Sequence, residues 1–306
     1  MAISNLALNM MLLQHKRRPL EGPVMQLGRQ RIDMTLDEAV ETFEEHGLTP
    51  NLDLLSSVQK KLLAADRLDH MSDFEFFSLF GITDIVAIDL SEVDKPDYIG
   101  DLNLPVEDAL LDRFKLIIDG GTFDHLFDIR QGFMNMANML TEGGRVFQWN
   151  GASNFIQGMN YCSFNPQVYT DYYVQNGFTD CSAYLAFETD YGSNIWTLFE
   201  DTNVDGRSPR VIDPRPVMSL LWSTKTAEST AENIPVQAGW FTSPEEGHPS
   251  SIVEIAGPAM LSRGGLINLI KKIGPIRIVA RNTRRYLRYR FCRKIRPPEY
   301  HFIGRY

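Results

Sequence analysis

Short apolar runs alternate with longer mixed segments through the first half of the chain, and most of these runs end at a glycine or an acid. Such runs are typical of strands buried on both faces of a parallel sheet, and the mixed segments between them are typical of helices. We therefore predict an α/β fold with a Rossmann-like, doubly wound, mostly parallel sheet. The predicted strands are 24–28, 84–89, 98–101, 114–121 and 145–149, and the predicted helical regions are 35–80, with a break at 47–50, and 129–140, which ends at 142–144.

The pattern changes after Asn150, where tyrosine, phenylalanine and asparagine become frequent. Further strands are predicted at 182–188, 194–200 and 217–223, and a polar loop is predicted over 201–215. Successive strands with short links usually pair antiparallel. We therefore expect an antiparallel edge on the otherwise parallel sheet.

The first residues of the chain predict a helix that packs beside the first strand, because Leu6, Met10 and Leu13 recur at helical spacing. The basic residues 15–18 follow this apolar stretch, whereas a signal peptide carries its positive charges before it. No apolar run reaches the length that spans a bilayer. The three cysteines show neither metal-ligand nor redox spacing, which is typical of a reducing compartment, so we expect a cytoplasmic location.

The formal net charge of −9 is divided unevenly along the chain. From Lys271 onward there are twelve lysines and arginines against one acid, so the preceding 270 residues carry a balance of −20. An acidic body argues against a protein whose main surface binds nucleic acid. We expect three parts: an N-terminal helix over 1–21, a main domain over 22–240, and a C-terminal extension over 241–306.

Within the basic tail, Leu287, Phe291 and Ile295 recur every four residues among arginines, which predicts a helix with an apolar stripe and a basic face. Three roles stay open for this helix. It docks on the acidic body of its own or a second subunit in a homo-oligomer, lies on an anionic membrane surface as a peripheral contact, or touches RNA. Docking is the reading that we favour.

Four consecutive predicted strands end at Gly28, Asp89, Asp101 and Asp119. In an open parallel sheet, ligands bind outside the carboxyl ends of the strands. An acid after the second strand can accept hydrogen bonds from a ribose diol, and an acid after the third can accept from an adenine amino group. The order and spacing indicate an adenosine-containing cofactor. The alternative for each acid alone is that it caps the helix that follows.

The middle of the chain resembles the fourth and fifth strand motifs of class I S-adenosylmethionine (SAM)-dependent methyltransferases. The similar segments are 114–121, 122–128 and 139–146, with the acid-histidine pair Asp124-His125 just after the fourth strand, as in one bacterial branch of that family. The segment Phe164-Asn165-Pro166 is similar to a Phe-Ser-Pro segment of the same branch. The resemblance implies a SAM cofactor and covers roughly 24–240.

The predicted first motif departs from the family pattern, because 26–32 contains a single glycine where the family has several. Glycines there let the backbone approach the methionine part of SAM. Arg29 and Gln30 must therefore either turn outward or bind the cofactor's carboxylate themselves. The same departure argues against a dinucleotide dehydrogenase, which needs that loop for pyrophosphate. The predicted cofactor residues are Gln26, Gly28, Arg29, Gln30, Asp89, Leu90, Asp101, Leu102, Asp119 and Gly120.

His125 is the candidate catalytic group, because it follows the fourth strand on the side where ligands bind. A histidine can take a proton from a hydroxyl acceptor, and Asp124 or Asp128 can orient the ring. In the alternative, Asp124 caps a turn and His125 is a solvated bystander. A divalent metal bound by these three residues is a further alternative that we do not favour, since no second ligand cluster lies nearby in sequence; we expect no metal.

The segment that follows the fifth strand is expected to cover the acceptor site, and Asn154, Tyr161 and Tyr169 are its predicted substrate residues. Aromatic rings with polar tips suit a saccharide or another polar ring, although each tyrosine alone is more readily explained by core packing. We therefore expect O-methylation of a saccharide or a small polar metabolite, with His125 as general base. Two other hypotheses stay open: another SAM chemistry such as cyclisation of SAM, and a non-catalytic methyltransferase-like subunit.

Overall fold

The computed structural model describes residues 2–55, 70–152, 160–188, 196–201, 216–235 and 300–305, which fall in one compact unit. Asn154 and the predicted basic helix of the tail lie outside the described residues. The strands are β1 (Ala2–Ile3), β2 (Val24–Leu27), β3 (Arg31–Ile32), β4 (Ile85–Asp89), β5 (Tyr98–Ile99), β6 (Phe114–Asp119), β7 (Leu140–Gly151), β8 (Thr179–Glu188), β9 (Trp196–Asp201), β10 (Val217–Thr224) and β11 (Tyr300–Arg305). The α-helices are α1 (Asn5–Arg17), α2 (Leu36–Glu45), α3 (Asp73–Ser78), α4 (Ile129–Met139) and α5 (Pro166–Gln175).

The main sheet has the strand order β11-β9-β8-β10-β7-β6-β2-β4-β5. Strands β5, β4, β2, β6 and β7 are parallel, whereas β10 runs antiparallel between β7 and β8. The chain enters the sheet at β2, builds outward to β5, and then returns to β6 on the other side of β2. This confirms the predicted fold class: a doubly wound, mostly parallel sheet with an antiparallel edge, and its strand order reverses between β2 and β6.

The register of the central strands brings their carboxyl ends to one level. Leu27 at the end of β2 lies opposite Ile88 on β4 and Asp119 on β6. The residues that follow these strands therefore meet at one edge of the sheet, where the order reverses. The candidate site lies at this edge.

Alternate residues of the central strands pack into two separate cores. Ile118 belongs to a core with side chains of α1, α2 and α3, whereas Ile117 belongs to a core with side chains of α4 and α5. Successive side chains of a strand point to opposite faces, so helices cover both sides of the sheet. Strands buried on both faces are apolar throughout, which explains why the periodicity indicated them so clearly.

Side-chain caps fix where two of these helices begin. Thr35 and Glu38 form a reciprocal capping box at the start of α2, and Ser72 and Glu75 form another at the start of α3. Each box satisfies backbone N–H groups that a helix leaves unpaired. The N-terminal helix is confirmed as α1. Strand β1, which precedes α1, forms a small parallel sheet with β3.

Strand β7 is longer than predicted and begins before the glycines at which the sequence placed a break. Gly143 has φ of +72°, a value that glycine adopts at little cost. Its N–H donates to the carbonyl of Lys225 at 2.9 Å, and the Lys225 N–H donates to the carbonyl of Gly144 at 2.9 Å. The glycines thus bend the strand while it stays paired with the segment after β10.

Strand β11 was not predicted, because 300–305 lies in the basic C-terminal segment that was expected to form an extension. It pairs antiparallel with β9 at the edge of the sheet. Partners so far apart along the chain leave no local pattern in the sequence. Within the described ranges, no helix combines the length and the apolar character needed to cross a membrane.

Candidate active site

Three strand ends come together at Gly28. Its φ is +66°, and its N–H donates to the carbonyl of Ile88 at 2.7 Å. A Cβ atom at Gly28 would lie 2.9 Å from Oγ1 of Thr122 and 3.5 Å from Oδ2 of Asp89. The backbone conformation and the close neighbours both require glycine at this position. The one glycine that remains in the first motif is therefore at the position where a side chain would block the edge.

The two residues after Gly28 turn into the fold, which differs from the outward turn that was one of the two alternatives for them. The side chain of Arg29 is only 1% exposed, and its two terminal nitrogens each lie 2.5 Å from a carboxylate oxygen, one of Asp73 and one of Asp97. Burial raises the pKa of Asp73, and the guanidinium of Arg29 opposes that rise. Because both carboxylates are already bound to Arg29, its terminal nitrogens hold the loop rather than face solvent.

Gln26 and Gln30 complete this buried network. The Gln26 amide donates to Asp73 at 2.8 Å and accepts from the Gln30 N–H at 2.9 Å. The Gln30 amide donates to the carbonyls of Leu27 and Gly28, both at 3.0 Å. Side-chain hydrogen bonds thus fix the conformation of the loop after β2. The family pattern has several glycines in this loop.

One buried acceptor in this loop has no partner among the described residues. It is Oε1 of Gln30, and a Cβ atom at Gly120 would collide with it and with the ring of Trp149. An unpaired buried acceptor costs free energy unless a ligand or water donates to it. Gly120 therefore makes room for the side chains of Gln30 and Trp149, and the unpaired Gln30 oxygen suits a donor that a ligand brings to this edge.

Two acids with free acceptor capacity lie farther along the same edge. Asp89 is half-buried, and its Oδ1 accepts from the N–H of Ser91 at 3.1 Å. Asp101 is exposed, and its Oδ1 accepts from the backbone and side chain of Asn103 at 2.9 and 2.7 Å. In each acid the other oxygen, Oδ2, makes no hydrogen bond within the described part of the chain. Leu90 is largely exposed beside Asp89, and Leu102 is buried.

Asp119 differs from these two acids because it is completely buried. Its Oδ2 accepts from the amides of Gln148 and Asn150 at 3.1 and 2.7 Å, and its Oδ1 accepts from the N–H groups of Thr122 and Phe123. Burial raises the pKa of Asp119, and these hydrogen bonds oppose the rise. With both oxygens occupied by protein donors, this carboxylate holds the turn after β6 in place.

The turn that Asp119 holds carries the acid-histidine pair. Phe123–His125 form one turn of 3-10 helix. The His125 side chain is 49% exposed, whereas that of Asp124 is 6% exposed, and His125 Nε2 lies 3.6 Å from Asp124 Oδ1. Burial raises the pKa of Asp124 to about 6; the neighbouring His125 opposes this rise and Asp119 adds to it. Asp124 Oδ1 has no hydrogen-bond partner in the described ranges.

An exposed aromatic pair lies next to this turn. Phe127 is 84% exposed and Tyr161 is 71% exposed, and their rings meet edge to face with centroids 6.0 Å apart. The N–H of Tyr161 donates to the carbonyl of Asp124 at 2.7 Å, which fixes the distance between the pair and the turn. Large exposed rings in a soluble domain mark a binding surface more often than isolated apolar residues do.

Tyr169 lies in the core, in agreement with the alternative that core packing explains this tyrosine. Its ring stacks on Phe164 with centroids 5.6 Å apart, and the residue is completely buried. Burial raises the pKa of Tyr169 well above its usual range. Tyr169 belongs to the core that the side chains of α4 and α5 form on one face of the sheet, so its burial favours the packing role.

Asp128, the third candidate ligand in the metal alternative, caps a helix. Asp128 is the N-cap of α4, and its Oδ1 accepts from the N–H of Gln131 at 3.0 Å. No group of three or more histidine, cysteine, aspartate or glutamate side chains that could hold a metal ion is found among the described residues.

Several residues of the site escaped the sequence reasoning: Asp73, Asp97, Thr122 and Phe127. The two acids are 44 and 68 positions from Arg29, so no local spacing links them to it. Thr122 and Phe127 lie in the turn that the resemblance had already marked. Phe127 could have been identified from its position in the sequence, because it is a large apolar residue between the candidate base and a helix cap.

The chain is similar to several solved structures over part of its length. A SAM-dependent methyltransferase of Thermotoga maritima matches at 12% identity, covering 71% of this chain and 89% of that one, with a TM-score of 0.34. The 1,6-didemethyltoxoflavin-N1-methyltransferase of Burkholderia thailandensis, with bound S-adenosylhomocysteine, matches at 13% identity over 72% of this chain and 76% of that one, with a TM-score of 0.33. The methyltransferase domain of the citrinin polyketide synthase matches at 11% identity and a TM-score of 0.27, over 48% of this chain and 35% of that one.

No protein-family model matches the sequence, and no curated protein matches it either. Identities and TM-scores this low do not identify a function. What this chain does is therefore inferred from its own residues.

Proposed function

We propose that this protein is a SAM-dependent methyltransferase that methylates a hydroxyl group of a saccharide or a small polar metabolite. One observation supports it above the others: Gly28, Asp89 and the turn with His125 lie at the edge where the strand order reverses. Acceptors for an adenosine and a candidate base therefore share one edge. An O-methyltransferase needs this combination, since transfer requires placement of the acceptor and removal of its proton.

The residues at this edge match the parts of the proposed cofactor. Asp89 Oδ2 would accept hydrogen bonds from the ribose hydroxyls of SAM, and Asp101 Oδ2 would accept from its adenine amino group. Gln30 Oε1 would accept from the amino group of the methionine part, and this buried oxygen otherwise has no donor among the described residues. A side chain at Gly28 would crowd Oδ2 of Asp89, so glycine at this position keeps that acceptor open. When bound, SAM supplies an electrophilic methyl group on a sulfonium.

His125 removes the proton from the acceptor hydroxyl. Its Nε2 faces Asp124 Oδ1, so Nδ1 is the nitrogen left for the acceptor. Once protonated, the ring carries a positive charge 3.6 Å from a carboxylate, which stabilises it. Burial raises the pKa of Asp124 to about 6, so this carboxylate is ionised at neutral pH and above. Asp124 therefore positions the base and balances its charge.

The exposed pair of Phe127 and Tyr161 forms the surface on which the acceptor rests. Aromatic faces bind the apolar faces of sugar rings and other flat polar rings, and a phenolic hydroxyl adds a hydrogen bond. Asn154, which lies outside the described residues, stays a predicted contact.

Substitution of His125 tests the catalytic part of the proposal. In a methyl-transfer assay that follows release of S-adenosylhomocysteine, a panel of saccharides and hydroxylated metabolites is screened first. With the best acceptor, His125→Ala should lower turnover by about 10²–10⁴-fold, the usual contribution of a general base. The wild-type rate should fall as the pH drops below about 6, because Asp124 becomes protonated and no longer balances the charge of the ring.

The control is Arg130→Ala, an exposed residue in the first turn of α4, which should leave turnover unchanged. Loss of SAM binding in His125→Ala, with normal turnover at saturating cofactor, would make His125 a cofactor residue instead. An unchanged His125→Ala variant would leave the turn with a capping role only. Binding of SAM without turnover on any acceptor would favour the non-catalytic subunit or a chemistry confined to SAM.

A further inference from the structure

A cavity lies at the edge of the sheet opposite the candidate active site, where the parallel strands begin. Its volume is about 240 Å³, and it is bordered by Arg17 and Arg18 at the end of α1, Arg145 on β7, Trp222 on β10, and Asp180 and Ser182 on β8. The parallel strands run from this edge to the one that carries Asp89 and His125. The cavity is therefore separate from the candidate active site.

Three arginines converge on this cavity. Arg145 is buried, and its guanidinium donates to the carbonyls of Arg18 at 3.0 Å and Pro19 at 2.5 Å. These bonds fix the position of a charge that forms no ion pair with any carboxylate in the described ranges. Burial and, to a smaller extent, the charge of Arg18 lower the pKa of Arg145 to about 10, while Glu21 and Asp180 oppose this shift. The positive charges thus repel one another where the cavity opens.

Arg17 and Arg18 keep donors available for a ligand. Both side chains are exposed, and Arg18 donates one bond, to the carbonyl of Gly143 at 3.0 Å. A guanidinium has five N–H donors in a planar fork that matches the geometry of phosphate and carboxylate oxygens. Two such forks on consecutive residues form a strong site for an oxyanion.

An independent sign of a missing ligand comes from Trp222, which borders the same cavity. The residue is 2% exposed, and its ring stacks on Phe147 with centroids 4.3 Å apart. Its indole N–H has no acceptor among the described residues. A buried indole N–H normally finds a partner, so an acceptor in the cavity would complete this group.

We propose that this cavity binds the phosphate group of a phosphate monoester. Arg17 and Arg18 hold the phosphate oxygens, and the indole N–H of Trp222 donates to one of them. The positive charge of Arg145 adds to the attraction for the phosphate, while its guanidinium keeps its hydrogen bonds to the backbone carbonyls. Asp180 is the one acid among the described residues on the border; its charge offsets part of the positive charge of the arginines and disfavours a second anionic group, and its oxygens can accept from a hydroxyl. The ligand is therefore a phosphorylated molecule whose remaining part carries hydroxyl groups.

Calorimetry and tryptophan fluorescence on the full chain test this site, with glycerol 3-phosphate, inorganic phosphate and glycerol as probes. We expect glycerol 3-phosphate to bind more tightly than inorganic phosphate, glycerol not to bind, and Trp222→Phe to lose the fluorescence change. The double variant Arg17→Gln/Arg18→Gln should bind at least about tenfold more weakly, because it loses charge-assisted hydrogen bonds. The control is Lys16→Gln, which removes an exposed charge of the same helix turn that does not border the cavity, and it should bind normally.

Two outcomes would overturn the phosphate site: no binding of either phosphate probe at millimolar concentration, or equal affinity in the wild type and in the double variant. Equal affinity for glycerol 3-phosphate and inorganic phosphate would overturn the hydroxylated ligand. Saturating S-adenosylhomocysteine should leave phosphate binding intact. Competition between the two would place the phosphate at the active-site edge and contradict a separate site.

Discussion

Asp124 is a buried carboxyl group whose charge costs stability in the folded protein. Burial raises its pKa to about 6 from the usual 3.8. The folded state therefore holds this proton more tightly than the unfolded state. The stability that this proton binding gives the folded protein is fully present below pH 4 and is lost as the pH rises through 6. Asp124→Asn should therefore raise the midpoint of thermal unfolding at pH 8, relative to wild type, more than at pH 5.

Thermal unfolding of both proteins at the two pH values measures this difference. Asp128→Asn is the matched control, because it changes an exposed acid of the same turn and keeps an amide that can cap α4. If Asp124→Asn raised the midpoint of thermal unfolding equally at both pH values, this would contradict the claim that the charge of Asp124 costs stability.

Arg29 stabilises the loop after β2 through two buried or half-buried ion pairs. Arg29→Met should destabilise the fold by about 3–5 kcal/mol, because it leaves the Asp73 carboxylate buried without a counter-charge. The double variant Arg29→Met/Asp73→Asn should recover part of this loss, since it removes the stranded charge as well. Denaturant unfolding gives both values. A loss of less than 1 kcal/mol in the single variant would mean that the pairs are not formed.

At this scale the sequence marked Gly28, Asp89 and the Asp124-His125 turn, and the structure places all of them at one edge. The orientation of Arg29 could not be predicted from the sequence, because the acids that bind its guanidinium come from α3 and from the segment before β5. Long-range ion pairs leave no periodicity, and a charged residue after a strand reads as solvent-exposed. Buried hydrogen bonds to Asp119 were missed for the same reason.

The elements with a strong periodic pattern were predicted well. The strands β2, β4 and β6 and the helix α4 lie within one or two residues of the predicted positions. The extra length of β7 and the existence of β11 depend on pairing with distant strands, which the local pattern does not contain. The capping boxes of α2 and α3 were present in the sequence as Thr-x-x-Glu and Ser-x-x-Glu.

Strand β11 lies at the outer edge of the sheet and pairs with β9 alone. A truncation after Gly265 removes this strand together with the basic tail, but it leaves the strands from β9 to β5 paired. We expect the shortened chain to unfold cooperatively and to bind S-adenosylhomocysteine as the full chain does. Circular dichroism melting and calorimetry measure the two properties. A shortened chain without a cooperative transition would show that the C-terminal residues are part of the folding core.

At the scale of the whole molecule, the alternation of strands and helices sets the edge at which ligands bind. The fold class follows from that alternation, and the position of the acids at strand ends follows from the fold. The residues before Lys271 carry a balance of −20, and Asp89 and Asp101 lie at this edge, which suits a cofactor that carries a sulfonium charge. The opposite edge is bordered by arginines, so the two ends of the same sheet favour ligands of different charge.

The central claim is that SAM binds at the carboxyl edge of the sheet, and calorimetry with S-adenosylhomocysteine tests it most directly. The wild type should bind, and Asp89→Ala should bind about 10- to 100-fold more weakly, because it loses charge-assisted hydrogen bonds to the ribose that are worth about 1.5–3 kcal/mol. The matched control is Glu44→Gln, an exposed acid on α2, which should bind as the wild type does. No binding by the wild type, or equal affinity in wild type and Asp89→Ala, would contradict the account.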